Sequence, residues 1–375
     1  MQTTKRNPGA DLIRILAFLL VVSVHFFLNN GFYGQPVVGT RMYIMTLMRS
    51  FFIICVPLFL MLSGYLLRKK QLEKRYYKRI GKIVITYILA SLLCVAYSVV
   101  CLKQDVTAKS VFFNILNFSA APYSWYIEMY LGLFLIIPFL NIAYNALPSQ
   151  KSKIWLIITF VMLTSLPSVV NVYNFDSLKW WAQPSSAPGV TKLIPGWWQT
   201  LYPITYYYIG CYLSEYGFKI KKGVNAVLIL LWTVLSGSYC YWRSYKGAFA
   251  WGIWCDYQSL FNIVLTTLVF TLFININYEK MPKRLEWVIQ KISGLSLGGY
   301  LVSWIFDSEV YPVLAEKVPE VTHRMEYYFV VVPIIFVASL LASYFISKIQ
   351  LLLEKCAGVV GKLREKKSAK TAQMP

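Results

Sequence analysis

Long apolar stretches separated by short polar segments form the dominant pattern of this 375-residue chain. An apolar helix needs about 20 residues to cross the roughly 30 Å hydrocarbon core of a bilayer. Ten stretches of about this length predict an all-α, polytopic integral membrane helical bundle. They lie near residues 9–28, 44–67, 80–102, 124–144, 153–171, 200–217, 224–242, 256–276, 292–311 and 326–348.

The basic residues divide unequally between the two sets of loops that ten spans define. The set that includes both termini holds 26 of the 37 Lys and Arg residues, and the opposite set holds 10. Cytoplasmic loops of membrane proteins are rich in Lys and Arg. We therefore predict a multi-pass membrane protein with cytoplasmic N- and C-termini.

Composition supports the membrane assignment and narrows the function. Hydrophobic residues make up 57% of the chain and charged residues 14%, too few charges to cover a soluble surface. The net charge of +21 would suggest nucleic acid in a soluble protein, but loop orientation and contact with membrane lipid account for it here. We predict a membrane domain over residues 1–350, a basic cytoplasmic tail over 351–375 and no nucleic-acid partner.

Three polar residues of the first span are candidate site residues, because charges within the hydrocarbon region usually mark a function or a pairing. Asp11 and Arg14 are three residues apart, so we expect an ion pair on one helix face. His25 follows Arg14 by eleven residues, about 16 Å along the helix and about 20° from the same face. His25 is either an interhelical hydrogen-bonding residue or a general base or proton carrier.

The carboxylates predicted near the outer side of the membrane are weaker candidates for site residues. Glu128, in the fourth span, could support an imidazole or bind a substrate hydroxyl, or it could be a buried neutral acid. Asp307 and Glu309 close the ninth span, where solvation at the membrane interface is the expected state. No residues form a pattern typical of a metal site, a P-loop, a serine hydrolase or a zinc protease.

One basic segment and one aromatic loop each allow two interpretations. The run from Arg68 to Lys82 is a topology anchor or a binding surface for a polyanionic donor. The loop near 172–199, which includes Trp197 and Trp198 at its end, is an aromatic belt at the membrane interface or a surface on which sugar rings stack.

Five motifs in order resemble the acyltransferase-3 family of integral membrane O-acyltransferases. They are Asp11-Leu12-Ile13-Arg14 followed by His25, Phe59-Leu60-Met61-Leu62-Ser63-Gly64-Tyr65-Leu66-Leu67, the basic Arg79-Ile80-Gly81-Lys82, Trp125-Tyr126 of the fourth span, and Tyr207-Tyr208-Ile209-Gly210-Cys211-Tyr212-Leu213. Two positions depart from the family pattern: Lys82 replaces an arginine, and Ser303 stands where many members have a histidine.

The resemblance implies transfer of an acyl group, acetyl or succinyl, from a cytoplasmic acyl-CoA donor to a hydroxyl of a cell-envelope polysaccharide or lipid-linked sugar. It implies no bound cofactor. The expected residues are His25, Arg14 and Glu128 for catalysis, Arg14, Arg79 and Lys82 for the donor, and Trp125, Tyr126, Trp197 and Trp198 for the acceptor.

Two other classes of function remain open from the sequence. A ten-helix bundle with a polar path could transport a small metabolite or amino acid without acyl chemistry. A membrane scaffold for glycan assembly could use the aromatic and basic surfaces alone. Consumption of acyl-CoA by the purified protein would separate the first class from the other two.

Overall fold

The computed structural model describes residues 6–186 and 189–371. Within these residues the fold is helical, and the one β-contact is an isolated bridge between Val37 and Tyr245. The α-helices in chain order are α1 (Pro8–Asn29), α2 (Gly39–Phe52), α3 (Cys55–Leu67), α4 (Lys74–Tyr77), α5 (Ile80–Val100), α6 (Ala108–Leu116), α7 (Trp125–Ala146), α8 (Gln150–Thr164), α9 (Pro167–Val170), α10 (Leu178–Ala182), α11 (Tyr202–Tyr216), α12 (Lys222–Ser244), α13 (Leu260–Ile274), α14 (Lys283–Lys317) and α15 (Tyr328–Thr371).

The predicted all-α membrane bundle is confirmed, and each apolar stretch coincides with helical structure. In the described part of the chain, six helical segments are long and apolar enough to cross a membrane. They are Pro8–Asn29, Gly39–Leu67, Lys74–Val100, Trp125–Ala146, Lys222–Ser244 and Val321–Cys356. The total of ten spans stays a prediction.

The second predicted span is divided into two helices, α2 and α3, which meet at Ile53 and Ile54. Pro57 explains this break, because proline has no N–H to donate to the carbonyl four residues earlier, that of Ile53. A second break separates α8 from α9, whose first residue is Pro167. Both breaks fall inside stretches that hydropathy alone describes as continuous.

Helix α1 lies at the centre of the bundle, where it packs against α2, α3, α13, α14 and α15. Its start is well defined, because the Asn7 side chain accepts a hydrogen bond of 2.8 Å from the Gly9 N–H and Pro8 occupies the first turn. Most of its length is buried, including Asp11 and His25. The central position therefore places the polar residues of α1 inside the protein rather than in lipid.

Helices α3 and α11 approach each other closely at two glycines. A Cβ atom on Gly64 would overlap the Tyr207 carbonyl oxygen, and one on Gly210 would overlap the Met61 carbonyl oxygen. Small residues allow helix backbones in membranes to approach this closely. The two glycines belong to two separate motifs of the sequence. Their mutual packing explains why each motif contains a glycine at this position.

Helices α14 and α15 are longer than the predicted spans. Helix α14 continues from Lys283 to Lys317, so Asp307 lies within it rather than at its end. Helix α15 runs without interruption past Leu351, so the predicted boundary between residues 350 and 351 falls inside a helix and stays a prediction.

Arg49 and Arg243, which are two of the ten basic residues counted with the predicted outer loops, are buried. Arg49 donates a 2.7 Å hydrogen bond to the Cys255 carbonyl, and its guanidinium lies 4.9 Å from the ring centres of both Phe249 and Trp251. Arg243 lies 4.0 Å from the ring centre of Trp254. Cation–π contacts of desolvated arginines contribute about 2 kcal/mol or more. These arginines therefore hold the segment between α12 and α13 against the bundle.

Replacing either glycine at the α3–α11 contact by alanine should destabilise the protein. Because the new methyl group would meet backbone rather than a movable side chain, we expect Gly64→Ala and Gly210→Ala each to cost about 3 kcal/mol or more. The measurement is the midpoint of thermal unfolding in one detergent. Gly132→Ala in α7 is the control, because no atom lies within 4 Å of its added Cβ. A midpoint unchanged in all three variants would contradict this packing.

Candidate active site

A cavity of about 670 Å³ opens at the end of the bundle where α1 begins. We call it the basic cavity, because Arg14, Arg79 and Lys82 all line it, while Glu354 is the one carboxylate in its lining. The structure thus brings together the three residues predicted to bind the donor. Its volume is within the range of ligand clefts, and its excess of positive charge favours a polyanion.

The guanidinium of Arg14 is held by a buried polar cluster. Its Nη1 atom lies 3.2 Å from Asp11 Oδ1 and 2.6 Å from Ser293 Oγ of α14. Ser293 in turn donates a 2.6 Å hydrogen bond to Asp11, and Arg6 forms two further bonds of 2.6 Å with the same carboxylate. The predicted Asp11–Arg14 ion pair is confirmed. The cluster fixes Arg14 at the wall of the basic cavity.

A second, much smaller cavity of about 30 Å³ surrounds the imidazole of His25, and we call it the His25 chamber. Three side chains, Phe59, Tyr126 and Tyr300, line both this chamber and the basic cavity. We call these three the aromatic constriction. The remaining lining residues are Val21, Val24, Cys55, Val56, Trp125 and Tyr257. Arg14 and His25 therefore face two adjoining cavities, as their shared helix face predicts.

Asp307 is the partner of His25 that the sequence did not reveal. His25 Nδ1 lies 3.6 Å from Asp307 Oδ2, and the same oxygen accepts a 2.8 Å hydrogen bond from the Tyr123 hydroxyl. Asn29 also donates to Asp307 and to Tyr123. The expectation that Asp307 is solvated at the membrane interface is wrong, because Asp307 is only 2% exposed.

The imidazole is held from a second direction by stacking. The rings of His25 and Tyr123 lie 3.7 Å apart between centres, at an angle of 34°. Stacking on Tyr123 and the proximity of Asp307 together direct Nδ1 toward the carboxylate. Nδ1 has no hydrogen-bond partner among the described residues, because 3.6 Å is longer than a hydrogen bond. An imidazole with one nitrogen beside a carboxylate can use the other, Nε2, as a general base.

A third cavity, of about 250 Å³, lies on the far side of Asp307 from the chamber. Its lining includes Asn29, Trp304, Asp307 and Tyr311. The Oδ1 atom of Asp307 and the hydroxyl of Tyr311 are buried without a hydrogen-bond partner among the described residues. The His25–Asp307 pair thus lies between the His25 chamber and this third cavity.

The aromatic residues predicted to bind the acceptor occupy two different places. Tyr126 is in the aromatic constriction, and Trp125 lines the chamber and stacks on Tyr257 at 5.5 Å between ring centres. Trp197, 84% exposed, lines a groove of about 470 Å³ together with neighbouring loop residues. Trp198 is exposed beside it. Only the first pair is near His25.

The structure also shows the surroundings of Glu128 and Ser303, two positions discussed in the sequence analysis. Glu128 is exposed and lines none of the four cavities described, so the structure does not bring it to His25. Ser303 is buried and donates a 2.9 Å hydrogen bond to the Tyr300 carbonyl, one helical turn before Asp307. A carboxylate, rather than a second histidine, therefore faces His25 from α14.

Comparison with protein families gives one finding for this chain. The model of the acyltransferase domain, acyltransferase family 3, matches residues 7–348, which is nearly the whole sequence. The matched range includes all five motifs, the whole lining of the His25 chamber and the lining of the basic cavity apart from Gln350, Leu351 and Glu354. Comparisons with curated proteins and with solved structures find no match.

Removing the charge of Asp11 should destabilise the bundle, because Arg6 and Arg14 would lose the carboxylate they share. We expect Asp11→Asn to cost about 1–3 kcal/mol, less than a fully buried pair, since Arg6 and Arg14 are partly solvated. Thermal unfolding in detergent measures the effect. Glu326→Gln, in the exposed pair with Arg41, is the control and should cost less than about 0.5 kcal/mol. Equal shifts for both variants would argue against this role of Asp11.

Proposed function

This chain belongs to the acyltransferase-3 family, and we propose that it transfers an acetyl group from cytoplasmic acetyl-CoA to a hydroxyl of an envelope polysaccharide or lipid-linked sugar. Family membership gives the coarser statement, a membrane acyltransferase. The donor, the acyl group, the acceptor and the location in a bacterial plasma membrane belong to the proposal.

One observation carries the proposal: His25, which faces Asp307, lines a small chamber that adjoins a basic cavity. A neutral imidazole oriented by a carboxylate is suited to accept a proton from a hydroxyl group near pH 7. The aromatic constriction lies between the two cavities, so a thioester would have to pass these three rings to reach that imidazole. No other pair of a histidine and a buried carboxylate occurs among the described residues.

The donor would enter from the end of the bundle where α1 begins, for which the excess of basic residues predicts a cytoplasmic location. Arg79 and Lys82 would contact the phosphates of coenzyme A at the mouth of the basic cavity. Arg14, deeper in the wall and fixed by Asp11 and Ser293, would hold the donor closer to the thioester. These three cations supply binding rather than bond breaking.

The chemical step would take place at the His25 chamber. The acceptor oxygen attacks the thioester carbonyl carbon, a C–O bond forms, and the C–S bond breaks. His25 Nε2 takes the hydroxyl proton and returns it to the departing thiolate, so the products are an ester and free coenzyme A. Asp307 is a positioning residue that orients the imidazole. Exclusion of bulk water from the small chamber would suppress hydrolysis of the thioester.

The acceptor would approach from the opposite end of the bundle, where aromatic surfaces suited to sugar rings are concentrated. Trp125 and Tyr257 stack at the chamber, and Trp197 and Trp198 are exposed in the outer loop. Aromatic faces contact the apolar faces of sugars, while their edges leave hydroxyls free to react. Glu128 remains a sequence prediction that this proposal does not use.

Replacing His25 by alanine should abolish acyl transfer, because the general base is lost. We expect the activity to fall by at least about 100-fold while the amount of protein in the membrane is unchanged. The measurements are release of coenzyme A from acetyl-CoA and mass spectrometry of envelope glycans. His323→Ala is the control, since this second histidine is exposed. Full transfer by His25→Ala would refute the proposal, and absence of acyl-CoA consumption by the wild-type protein would favour a transporter.

Replacing Asp307 by asparagine should lower the turnover number by about 100-fold or more, because the imidazole loses the carboxylate that orients it. The effect should appear in kcat rather than in the KM for acetyl-CoA, since Asp307 does not line the basic cavity. Glu309→Gln, two residues later on α14, serves as the matched control. If both variants lose the same activity, the partnership of His25 and Asp307 is not the cause.

A further inference from the structure

The His25 chamber is small enough to select the acyl group that reacts. A cavity needs about 10–15 Å³ to hold one water-sized group, so a chamber of about 30 Å³ holds about two. The methyl group and the carbonyl oxygen of an acetyl thioester meet this limit. A propionyl group adds a methylene, and a succinyl group adds a methylene and a carboxylate.

The chamber walls are packed against the protein, so they cannot simply retreat from a longer chain. Cys55 and Val56 of α3 are 2% and 4% exposed. Tyr300 is held by a hydrogen bond from its hydroxyl to the Tyr123 carbonyl. The rings of the aromatic constriction also contact each other, with Tyr126 lying 5.7 Å from Phe59 and 6.1 Å from Tyr300 between ring centres.

The chamber also lacks a permanently charged side chain that would pair with a carboxylate. None of its ten lining residues is a lysine or an arginine. The nearest cation of the donor path, Arg14, lines the basic cavity and is held there by Asp11 and Ser293. A dicarboxylic acyl group would therefore bury its free carboxylate among valine and aromatic side chains, which is costly without a partner.

We propose that the side chains of Val24 and Val56 close the His25 chamber around an acetyl group and thereby exclude longer and charged acyl groups. This inference rests on the proposed function and adds the residues that determine its donor specificity. Val24 comes from α1 and Val56 from α3, so the two sides of the chamber are set by different helices.

The test is a competition between acyl donors. Membranes from cells that express the wild-type chain or one variant are supplied with equal amounts of acetyl-, propionyl- and succinyl-CoA, and the acylated envelope glycan is measured by mass spectrometry. A hydrophobic pocket discriminates one methylene by about 10–200-fold. We expect the wild-type protein to prefer acetyl over propionyl by at least about 10-fold and over succinyl by more.

Two enlarged variants identify the determinants. Val56→Ala and Val24→Ala should each raise the ratio of propionyl to acetyl transfer by about 10-fold, and succinyl transfer should stay low because no cation is gained. Val22→Ala is the matched control, since Val22 is buried in the same helix but does not line the chamber. Because the variants lie on different helices, misfolding of one leaves the other as a test.

Each outcome separates this inference from the proposed function. Equal transfer of acetyl and propionyl or succinyl by the wild-type protein would overturn the inference and leave the acyltransferase intact. An unchanged donor ratio in both enlarged variants, or an equal change in Val22→Ala, would also overturn it. Absence of transfer from every donor would refute the proposed function itself.

Discussion

The register between α1 and α14 is the constraint on which the site depends. Asp11 contacts Ser293 at one end of the pair, and His25 faces Asp307 at the other. The two contacts are separated by the same 14 residues in both helices, about 21 Å at 1.5 Å per residue. The two helices therefore run in the same direction, and their residues stay in register between these two contacts. Since unpaired polar groups are costly within a membrane, satisfying one cluster aligns the other.

The elements of the fold and part of the site could be predicted, because they depend on local regularities. Apolar length identified the long helices, since the bilayer sets a minimum length for a span, whereas the short helices α4, α6 and α10 lie outside the predicted stretches. Helical geometry placed Asp11 beside Arg14, and it placed Arg14 and His25 on one face. The convergence of Arg79 and Lys82 on the same cavity followed from their resemblance to a family motif rather than from their charge.

The remaining site residues depend on contacts between distant parts of the chain. The fall in hydropathy near Asp307 predicts the end of a helix. Helix α14 instead continues to Lys317 and packs this carboxylate against α1. Glu128 carried the same sequence signal, a carboxylate in an apolar stretch, yet it lies on an exposed face. Arg49 was counted with a predicted outer loop, although aromatic rings of another segment bury it. In each case, contacts between different helices or segments determine whether the charged side chain is buried or exposed.

Helix α3 joins the packing of the bundle to the size of the chamber. Gly64 fixes α3 against the backbone of α11, while Val56 and Phe59, on other faces of the same short helix, line the chamber beside His25. Phe59 and Gly64 are about 140° apart around the helix axis. Because packed helices move as rigid bodies, displacing α3 from α11 would also displace the chamber wall. The close glycine contact thus does more than stabilise the fold, since it sets the position from which α3 confines the acyl group.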